Sequence, residues 1–422
     1  MDRSDRRSVE AAARACVFRF GRTRLALSRL FEGMLKPFLG LLGRQEENLG
    51  AEPKRILVVE YWHLGDLVLL TPFLRNLRRQ YPKAHIAYLA HPKVAPLLEG
   101  QGLVDDFIPV VAPWAPHMSR WKKYVSRHHV EFFRCIWQLR ARQFDWGFTA
   151  RADIRDSFVL WAGGVKRRIG YGFAYGGSLL TDVVPPDLER PHFSDRWLHL
   201  LEVVGKPVPD RHPELHVKAE DRQWAREFLL ARGIQETDLL IAVHPEARNP
   251  LRQWGAENFF EVVRGVVSRF EVKVLWFRDP GAQEVTEFSA PWLVPVALPL
   301  RQFLAVLSEC RLLLCNDTGP MHLATAVGVP VVAVFGPTMP AWFGPRDERS
   351  RIVLHEGVWC RPCADRCLFE QPYCLRSISV KRVLSVAQAA VAKMVFGSSE
   401  EFEGDHPVDQ GIQGSISWRK ER

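Results

Sequence analysis

A short polar cluster in the second half of the chain has the composition of a phosphate-binding turn. Residues 316–320 read NDTGP, and apolar runs flank them on both sides. Such a pattern predicts a strand, a tight turn and a helix that starts near Gly319. The free N–H groups and positive dipole end of that helix would suit a diphosphate, with Thr318 and His322 adding polar contacts. Alternatively, Asp317 or Thr318 is an ordinary helix N-cap.

A second polar turn follows the first strand-like run of the chain. Residues 61–66 read YWHLGD, and Asp66 comes where a helix is expected to begin. An aspartate at this position could accept a proton from a hydroxyl nucleophile, if the hydroxyl lies within hydrogen-bond reach. Here too the alternative is a helix N-cap.

Two pairs of arginines lie in further loops. Arg248 and Arg252 occur in the basic loop HPEARNPLRQW at residues 244–254. Guanidinium groups match the geometry of phosphate, so these two are candidates for a nucleotide diphosphate; solvated surface arginines are the alternative. Arg151 and Arg155 follow another strand and would meet an anionic acceptor, or pair with the neighbouring aspartates.

Four of the eight cysteines form a cluster, whereas the others are scattered, as in a cytosolic protein. The cluster suits a structural zinc site or an iron–sulfur cluster; free thiols or a disulfide are the alternatives. Its members are Cys360, Cys363, Cys367 and Cys374.

Motifs for several other nucleotide chemistries are missing from the sequence. There is no G-x-G-x-x-G after the first strand and no G-x-x-x-x-G-K-[ST] loop, which argues against a nicotinamide site and a nucleoside triphosphatase. Asp-x-Asp does not occur, so arginine and a helix N-terminus would have to neutralise a leaving diphosphate.

Strand-like and helix-like segments alternate through both halves, which predicts two doubly wound α/β domains. In such folds ligands bind beyond the carboxyl ends of the strands. Strands are expected at 55–60, 84–89, 107–110, 146–150, 168–171, 239–244, 272–277, 312–315 and 331–335, and helices at about 67–80 and 256–269.

The bulk properties indicate a multidomain protein with anionic partners. The chain has 422 residues and a formal net charge of +9. Residues 1–50 form a basic amphipathic extension without a spanning apolar run or a clean signal-peptide core. We expect this extension to lie on a membrane surface or to pack on the protein body. Residues 205–221 suggest a linker, and residues 397–422 a flexible tail.

Residues of about 54–395 resemble glycosyltransferase family 9, the ADP-heptose:lipopolysaccharide heptosyltransferases. The stretches that carry the resemblance are RILVVEYWHLGDLVLLTPFLRNLRRQYP, RADIRD, RRIGYG, HPEARNPLRQW, NDTGPMHLATAVGVPVVAVFGPT and CRPC…CLFEQPYCL. The resemblance implies a GT-B fold, in which two Rossmann-like domains face a central cleft. It divides the chain into the extension, an acceptor-binding domain at 51–215, a nucleotide-sugar-binding domain at 216–396, and the tail.

The resemblance also implies roles for individual residues. Asp66 would be the general base, and Arg252 would contact the diphosphate. Asp317 would lie near the sugar, whereas Met321 would line the donor pocket. Thr318, Gly319 and His322 would hold phosphate, and Gly65, Arg151 and Arg155 would serve the acceptor. Glu246 departs from the pattern, because family members often have glycine there, and this puts the donor or the loop geometry in question.

The resulting prediction is an inverting, metal-independent transfer of heptose from ADP-heptose to a lipopolysaccharide inner-core acceptor, with no cofactor required. The expected partners are a nucleotide-diphosphate sugar, a lipid-linked anionic glycan and a membrane surface, but no nucleic acid. The expected location is cytoplasmic and peripheral on the inner membrane. Two alternatives stay open: a donor such as a UDP- or GDP-hexose, and a catalytically silent membrane-associated scaffold.

Overall fold

The structure is a computed structural model that describes residues 52–62, 64–114, 127–172, 176–187, 189–280, 288–363 and 367–397, together with Gly33. The predicted amphipathic extension and flexible tail lie outside these residues, apart from Gly33 and Gly397. Within the described ranges, no helix is both long enough and apolar enough to cross a membrane.

The first half of the chain forms a six-stranded parallel sheet in the order β3-β2-β1-β4-β5-β6. Its central strand β1 is almost wholly buried, which is why its sequence is a continuous apolar run. The strands are β1 (Arg55–Val59), β2 (His85–Ala90), β3 (Asp106–Pro109), β4 (Trp146–Thr149), β5 (Arg167–Tyr171) and β6 (Asp182–Val184). The helices are α1 (Leu64–Gln80), α2 (Ala95–Leu98), α3 (Arg127–Ala141), α4 (Ile154–Ala162) and α5 (Phe193–Val203).

The second half forms another six-stranded parallel sheet, in the order β12-β11-β10-β7-β8-β9. Its strands are β7 (Leu240–His244), β8 (Lys273–Arg278), β9 (Leu293–Ala297), β10 (Leu312–Asn316), β11 (Val331–Phe335) and β12 (Arg351–Leu354). Its helices are α6 (Ala219–Leu230), α7 (Ala256–Val267), α8 (Leu300–Ser308), α9 (Gly319–Ala326), α10 (Pro340–Phe343), α11 (Tyr373–Arg376) and α12 (Val380–Phe396). Short 3₁₀ turns occur at Pro92–Val94, Gly177–Leu179 and Pro250–Arg252.

The two sheets have the same topology: when the strands of each half are counted from its first strand, both orders are 3-2-1-4-5-6. In both, the strand order reverses beside the first strand, between β1 and β4 and between β7 and β10. Ligands of doubly wound folds bind at this switch point, beyond the carboxyl ends of the strands. The prediction of two doubly wound α/β domains is confirmed.

Three strands were not predicted from the sequence, namely β6, β9 and β12, and all three lie at sheet edges. Edge strands have one neighbour only, and none of these three is buried along its whole length. β6 has three residues, and β9 carries Pro295, which an edge position tolerates because it needs fewer ladder hydrogen bonds.

The predicted linker has no helix or strand until α6 begins, and it is tied down on both sides. Arg75 Nη2 donates to Asp210 Oδ1 at 3.0 Å, which fastens the linker to α1. Leu215 N donates to the carbonyl oxygen of Ala326 at 2.9 Å, which fastens it to α9. The division between residues 215 and 216 stays a prediction.

Candidate active site

The loops after β1 and β4 bring three charged side chains together at the start of α1. Asp66 lies in the first turn of α1, and Arg151 Nη2 donates to its Oδ1 at 2.6 Å. Arg151 Nε also contacts both carboxylate oxygens of Glu60, at 2.9 and 3.1 Å. The exposed fractions of the side chains are 0% for Glu60, 9% for Arg151 and 12% for Asp66. Asp66 is therefore the member of this triad most open to a ligand.

Burial and the neighbouring charges together shift the pKa values of Glu60 and Arg151. Burial raises the pKa of Glu60, repulsion from Asp66 adds to the rise, and the Arg151 guanidinium opposes it. Burial lowers the pKa of Arg151, but the carboxylates of Glu60 and Asp66 raise it by more, so the net change is upward. Arg151 is thus a permanent cation clamped between two acidic side chains. The expected contact of Arg151 with the acceptor stays a prediction; in the structure its guanidinium holds Asp66.

Arg155 lies beside this triad and is held by an aspartate and two indole rings. Its Nε contacts the two carboxylate oxygens of Asp153 at 2.8 and 3.0 Å. Its guanidinium carbon lies 5.7 Å from the ring centre of Trp62 and 5.2 Å from that of Trp114, within cation–π range. The Arg155 side chain remains 24% exposed, so it presents a partly accessible cation near Asp66.

The polar turn after β10 is built around a buried aspartate. Asp317 accepts a hydrogen bond from the Thr338 hydroxyl, and its backbone N donates to the carbonyl oxygen of Val334 at 3.2 Å. Arg252 Nη1 approaches Asp317 Oδ2 at 3.4 Å. Asp317 therefore does not act as an N-cap, because its side chain reaches the loop after β11 and the basic loop after β7.

Thr318 occupies the N-cap position of α9 without capping the helix through its side chain. Its hydroxyl donates instead to the carbonyl oxygen of Asn316 at 3.3 Å. Because no side-chain oxygen of the N-cap residue covers it, the helix start at Gly319 keeps the character of an anion site.

Two other residues of this turn are more buried than the sequence suggested. Met321 is fully buried within the hydrophobic core, and its role in lining a donor pocket stays a prediction. His322 is also buried, and burial lowers its pKa. Asp317 and Asp66 both oppose that change, and Arg252 adds to it, so charges from both halves of the molecule act on this one imidazole.

The two helix starts touch each other. A Cβ atom added at Gly65 would lie 2.6 Å from Cδ2 of His322, and one added at Gly319 would lie 3.4 Å from Cβ of Leu64. Only glycine at position 65 lets the imidazole come this close without displacement. The carboxylate of the first half and the helix start of the second half are thereby brought to one place.

The basic loop after β7 is fastened to the end of β10. Asn316 Oδ1 accepts from the backbone N of Trp254 at 3.0 Å, and Asn316 Nδ2 donates to the carbonyl oxygen of Pro245 at 2.6 Å. These bonds place Arg252 beside Asp317, with 25% of its side chain exposed. Arg248, the other predicted phosphate ligand, lies at an exposed position of the same loop.

Glu246, the unexpected carboxylate of this loop, has a structural role. Its Oε2 accepts from the backbone N of Asp279 at 2.8 Å, and its Oε1 contacts Arg278 Nε at 3.4 Å. It therefore joins the loop after β7 to the end of β8, and Arg278 offsets its charge.

The cysteine cluster does not have metal-site geometry in the described part of the chain. No group of three or more His, Cys, Asp or Glu residues there is placed to hold a metal ion, so the metal site at Cys360, Cys363, Cys367 and Cys374 stays a prediction. None of these four cysteines forms a disulfide bond. The Arg361 side chain hydrogen-bonds Cys374 and also lies near the thiols of Cys360 and Cys363, so a cation of the chain already occupies their surroundings.

Sequence reasoning missed several residues of the site. The charge of Glu60 at the end of an apolar run was visible in the sequence. Nothing in the sequence indicated that Arg151 is its partner. Thr338 lies 21 residues after Asp317 and gave no local signal. Tyr61 donates to Asp156, and burial together with repulsion from Asp153 raises the pKa of the Asp156 carboxyl.

The two doubly wound sheets thus meet where the first turn of α1, which carries Asp66, packs against the uncapped start of α9. The family model described as glycosyltransferase family 9 (heptosyltransferase) matches residues 132–373. Lipopolysaccharide heptosyltransferase 1 of Pseudomonas aeruginosa is 35% identical over 366 residues, which cover 79% of this chain and 97% of the relative. The chain therefore belongs to glycosyltransferase family 9, and it is a glycosyltransferase.

Solved structures confirm the predicted GT-B fold. A family 9 glycosyltransferase from Veillonella parvula is 25% identical, with a TM-score of 0.65, and the match covers 81% of this chain and 97% of that one. The E. coli ADP-heptose lps heptosyltransferase II is 21% identical, with a TM-score of 0.63, and the match covers 81% of this chain and 99% of that one.

Proposed function

We propose that this glycosyltransferase moves heptose from ADP-heptose to an inner-core sugar of lipopolysaccharide, with inversion at the anomeric carbon. The observation that carries the proposal is the contact between the two helix starts, where the first turn of α1, which carries Asp66, packs against the uncapped start of α9. Family membership supports the sugar class, and the lipopolysaccharide and ADP-heptose heptosyltransferases among the relatives support the acceptor and the donor.

In the proposed reaction, Asp66 takes the proton of an acceptor hydroxyl. The hydroxyl oxygen forms a bond to the anomeric carbon as the bond from that carbon to the diphosphate oxygen breaks on the opposite face. The bonding pair of electrons leaves with the diphosphate. Arg151 fixes the orientation of the Asp66 carboxylate, since it grips Oδ1 from a buried position anchored by Glu60. Arg155 and Gly65 border the place where the acceptor would lie.

The developing charge on the diphosphate is met by the second half of the molecule. Arg252 is 25% exposed and lies beside Asp317 at 3.4 Å, so its guanidinium is placed where it could contact a phosphate. The start of α9 at Thr318 and Gly319 supplies backbone N–H groups, and His322 lies behind them. Asp317 orients Arg252 and, in this proposal, lies near the sugar. Arg248 would make an outer contact from its exposed loop position.

The chemistry of the lipid-linked acceptor favours a location on the cytoplasmic face of the inner membrane. A net charge of +9 suits both an anionic glycan and an anionic lipid surface. The amphipathic segment at residues 1–50 was predicted to assist, but it lies outside the described residues. No metal or organic cofactor takes part in the proposed transfer.

The alternatives carry less weight once the structure is considered. Glu246 was the reason to consider a UDP- or GDP-hexose donor, and its carboxylate is engaged by Asp279 and Arg278. A silent scaffold would not require an arginine-held carboxylate at the junction of the two helix starts.

Calorimetric titration of the purified protein with ADP, UDP and GDP tests the proposal. We expect selective binding of ADP, weakened roughly 10- to 100-fold by Arg252→Ala, because a charge-assisted phosphate contact is lost. Arg248→Ala is the matched control from the same loop, with a smaller expected effect because the residue is exposed. Preference for UDP or GDP would reject heptose as the sugar, and binding of none of the three would argue against the donor site.

A further inference from the structure

Helix α3 exposes large apolar side chains on its outer face. Its inner face is buried against the first sheet through Phe132, Cys135, Ile136 and Leu139. On the outer face, Val130 is 62% exposed, Phe133 59% and Trp137 78%. These three residues, spaced three and four apart, form one continuous line along the helix, here called the α3 stripe. An indole with most of its surface in water is an unfavourable arrangement for a free protein surface.

Arginines border the α3 stripe on both sides. At 100° per residue, Arg140 lies next to Phe133 on one side, whereas Arg127 and Arg134 lie next to Val130 on the other. Glu131 is the single acidic residue of this helix, and it contacts His128 at 3.1 Å and Arg127 at 3.8 Å. The outer face therefore presents an apolar line within a positively charged border.

The α3 stripe is joined to the acceptor side of the candidate active site by a chain of aromatic contacts. The Phe133 ring lies 5.9 Å from that of Phe132, whose ring lies 4.8 Å from that of Trp114. Trp114 in turn lies 6.0 Å from the ring of Tyr61 and supports the Arg155 guanidinium at 5.2 Å. These contacts run through the buried Phe132 to Tyr61, so α3 lies next to the loop after β1 that leads to Asp66.

We propose that the α3 stripe inserts into the headgroup region of an anionic membrane, with Val130, Phe133 and Trp137 below the phosphates and the three arginines at their level. Apolar insertion flanked by cations is the pattern of helices that lie in a membrane interface. The functional consequence rests on the proposed function: the membrane would present a lipid-linked acceptor beside Arg155 and Asp66.

Charge complementarity selects the membrane over two other occupants. A second copy docked through the same face would bring two arginine borders together, and like charges would repel. The segment at residues 1–50 of this chain is itself basic, so it would meet the same repulsion. Anionic headgroups carry the opposite charge, and acyl chains match the apolar line.

Sedimentation of the full-length protein with phosphatidylglycerol–phosphatidylcholine vesicles tests the inference. We expect the triple variant Val130→Ser/Phe133→Ser/Trp137→Ser to lower the vesicle partition coefficient roughly tenfold or more, since it removes the inserted apolar surface. The control variant Met394→Ser/Val395→Ser/Phe396→Ser alters exposed apolar residues at the end of α12 and should partition like the wild type. Replacing Arg127, Arg134 and Arg140 by Gln should weaken binding to anionic vesicles and leave binding to pure phosphatidylcholine nearly unchanged.

Unchanged partition of the triple serine variant would overturn the inference and leave the N-terminal segment as the membrane anchor. A fall in self-association without a fall in partition would also overturn it, because a second copy would then be the occupant. Turnover separates this inference from the proposed function. The triple variant should lose turnover with a vesicle-embedded acceptor but keep it with a delipidated one. If the wild type used neither acceptor, the proposed function would fail while the vesicle result would still decide the role of the α3 stripe.

Discussion

The strand ends of the two halves share a topology but differ in their chemistry. After β1 and β4, the first half places two carboxylates around one buried arginine. After β10, the second half places a helix start without a side-chain cap, next to an arginine that is 25% exposed. The first arrangement is suited to accepting a proton, and the second to receiving an anion. One fold therefore supports two tasks because only its loops differ.

The difference between the two halves is clearest in two arginines, Arg151 and Arg252. Arg151 is held by Glu60 and Asp66 at 2.6–3.1 Å, so acidic side chains of the protein itself balance its charge. Arg252 contacts Asp317 at 3.4 Å, but 25% of its side chain is exposed, against 9% for Arg151. We infer that the first arginine positions a catalytic group and that the second binds a ligand. Four sets of variants test how the two halves differ and how they are joined.

The largest effect is expected from Asp66→Asn, which removes the proposed base and keeps its shape. We expect turnover to fall by roughly 10²–10⁴-fold, the usual contribution of general-base catalysis. ADP affinity, measured by calorimetry, should stay within about twofold, because the donor side is built by the other half. Wild-type turnover in this variant would remove Asp66 from the mechanism.

Arg151→Gln is expected to destabilise the protein by about 3 kcal/mol, since it leaves the buried Glu60 without its cation. Urea unfolding would measure the loss, and the double variant Glu60→Gln/Arg151→Gln should regain part of it. Arg252→Gln is the matched change in the other half, with an expected cost below about 1 kcal/mol because that pair is partly exposed. Equal costs for the two arginine variants would contradict the distinction between a positioning and a binding arginine.

Gly65→Ala should cost about 1–2 kcal/mol of stability, because the new methyl group would meet the His322 ring at 2.6 Å. Gly319→Ala, where the nearest atom would be 3.4 Å away, should cost less. Thermal unfolding of the two variants gives the comparison. A larger loss at position 319 would show that the two helix starts do not meet as described.

The smallest effect concerns His192, which links the two halves in its neutral form. Its Nε2 lies 3.0 Å from the carbonyl oxygen of Gly344, and its Nδ1 accepts from Ser194 N at 3.3 Å. Burial, with repulsion from Arg346, lowers the pKa of His192 to about 3. Near pH 6.5, His192 therefore becomes protonated in the unfolded chain but stays neutral in the folded protein. The free energy of unfolding falls as the pH drops below that value.

Between pH 7.5 and pH 5.5, this linkage should remove about 1 kcal/mol from the free energy of unfolding. In His192→Gln that share of the acid dependence should disappear, and the difference between the two pH profiles isolates it from other titrating groups. Identical slopes for the wild type and the variant would show that His192 is not held neutral.

Much of the central fold could be predicted because its signals are local. β11 was expected at residues 331–335 and forms there, and β1, β7 and β10 agree within one or two residues, since a strand buried on both faces must be continuously apolar. Three of the four edge strands, β6, β9 and β12, gave no such signal. Resemblance to a family added the fold name and the importance of Asp66, Arg252 and the turn at 316–320.

The sequence by itself thus determined the central strands, the polar turns that follow them and the family to which the chain belongs. Which side chains of those turns contact one another could be seen only in the tertiary structure. Arg151 reaches Glu60 and Asp66 across 91 and 85 residues of chain, and Arg252 reaches Asp317 across 65. The tertiary structure also shows that Met321 lies in the core, that Glu246 joins two loops and that His322 packs against Gly65. The physical reason is that periodicity and turn chemistry act between neighbours in sequence, whereas ion pairs and close packing depend on which strand ends the fold brings together.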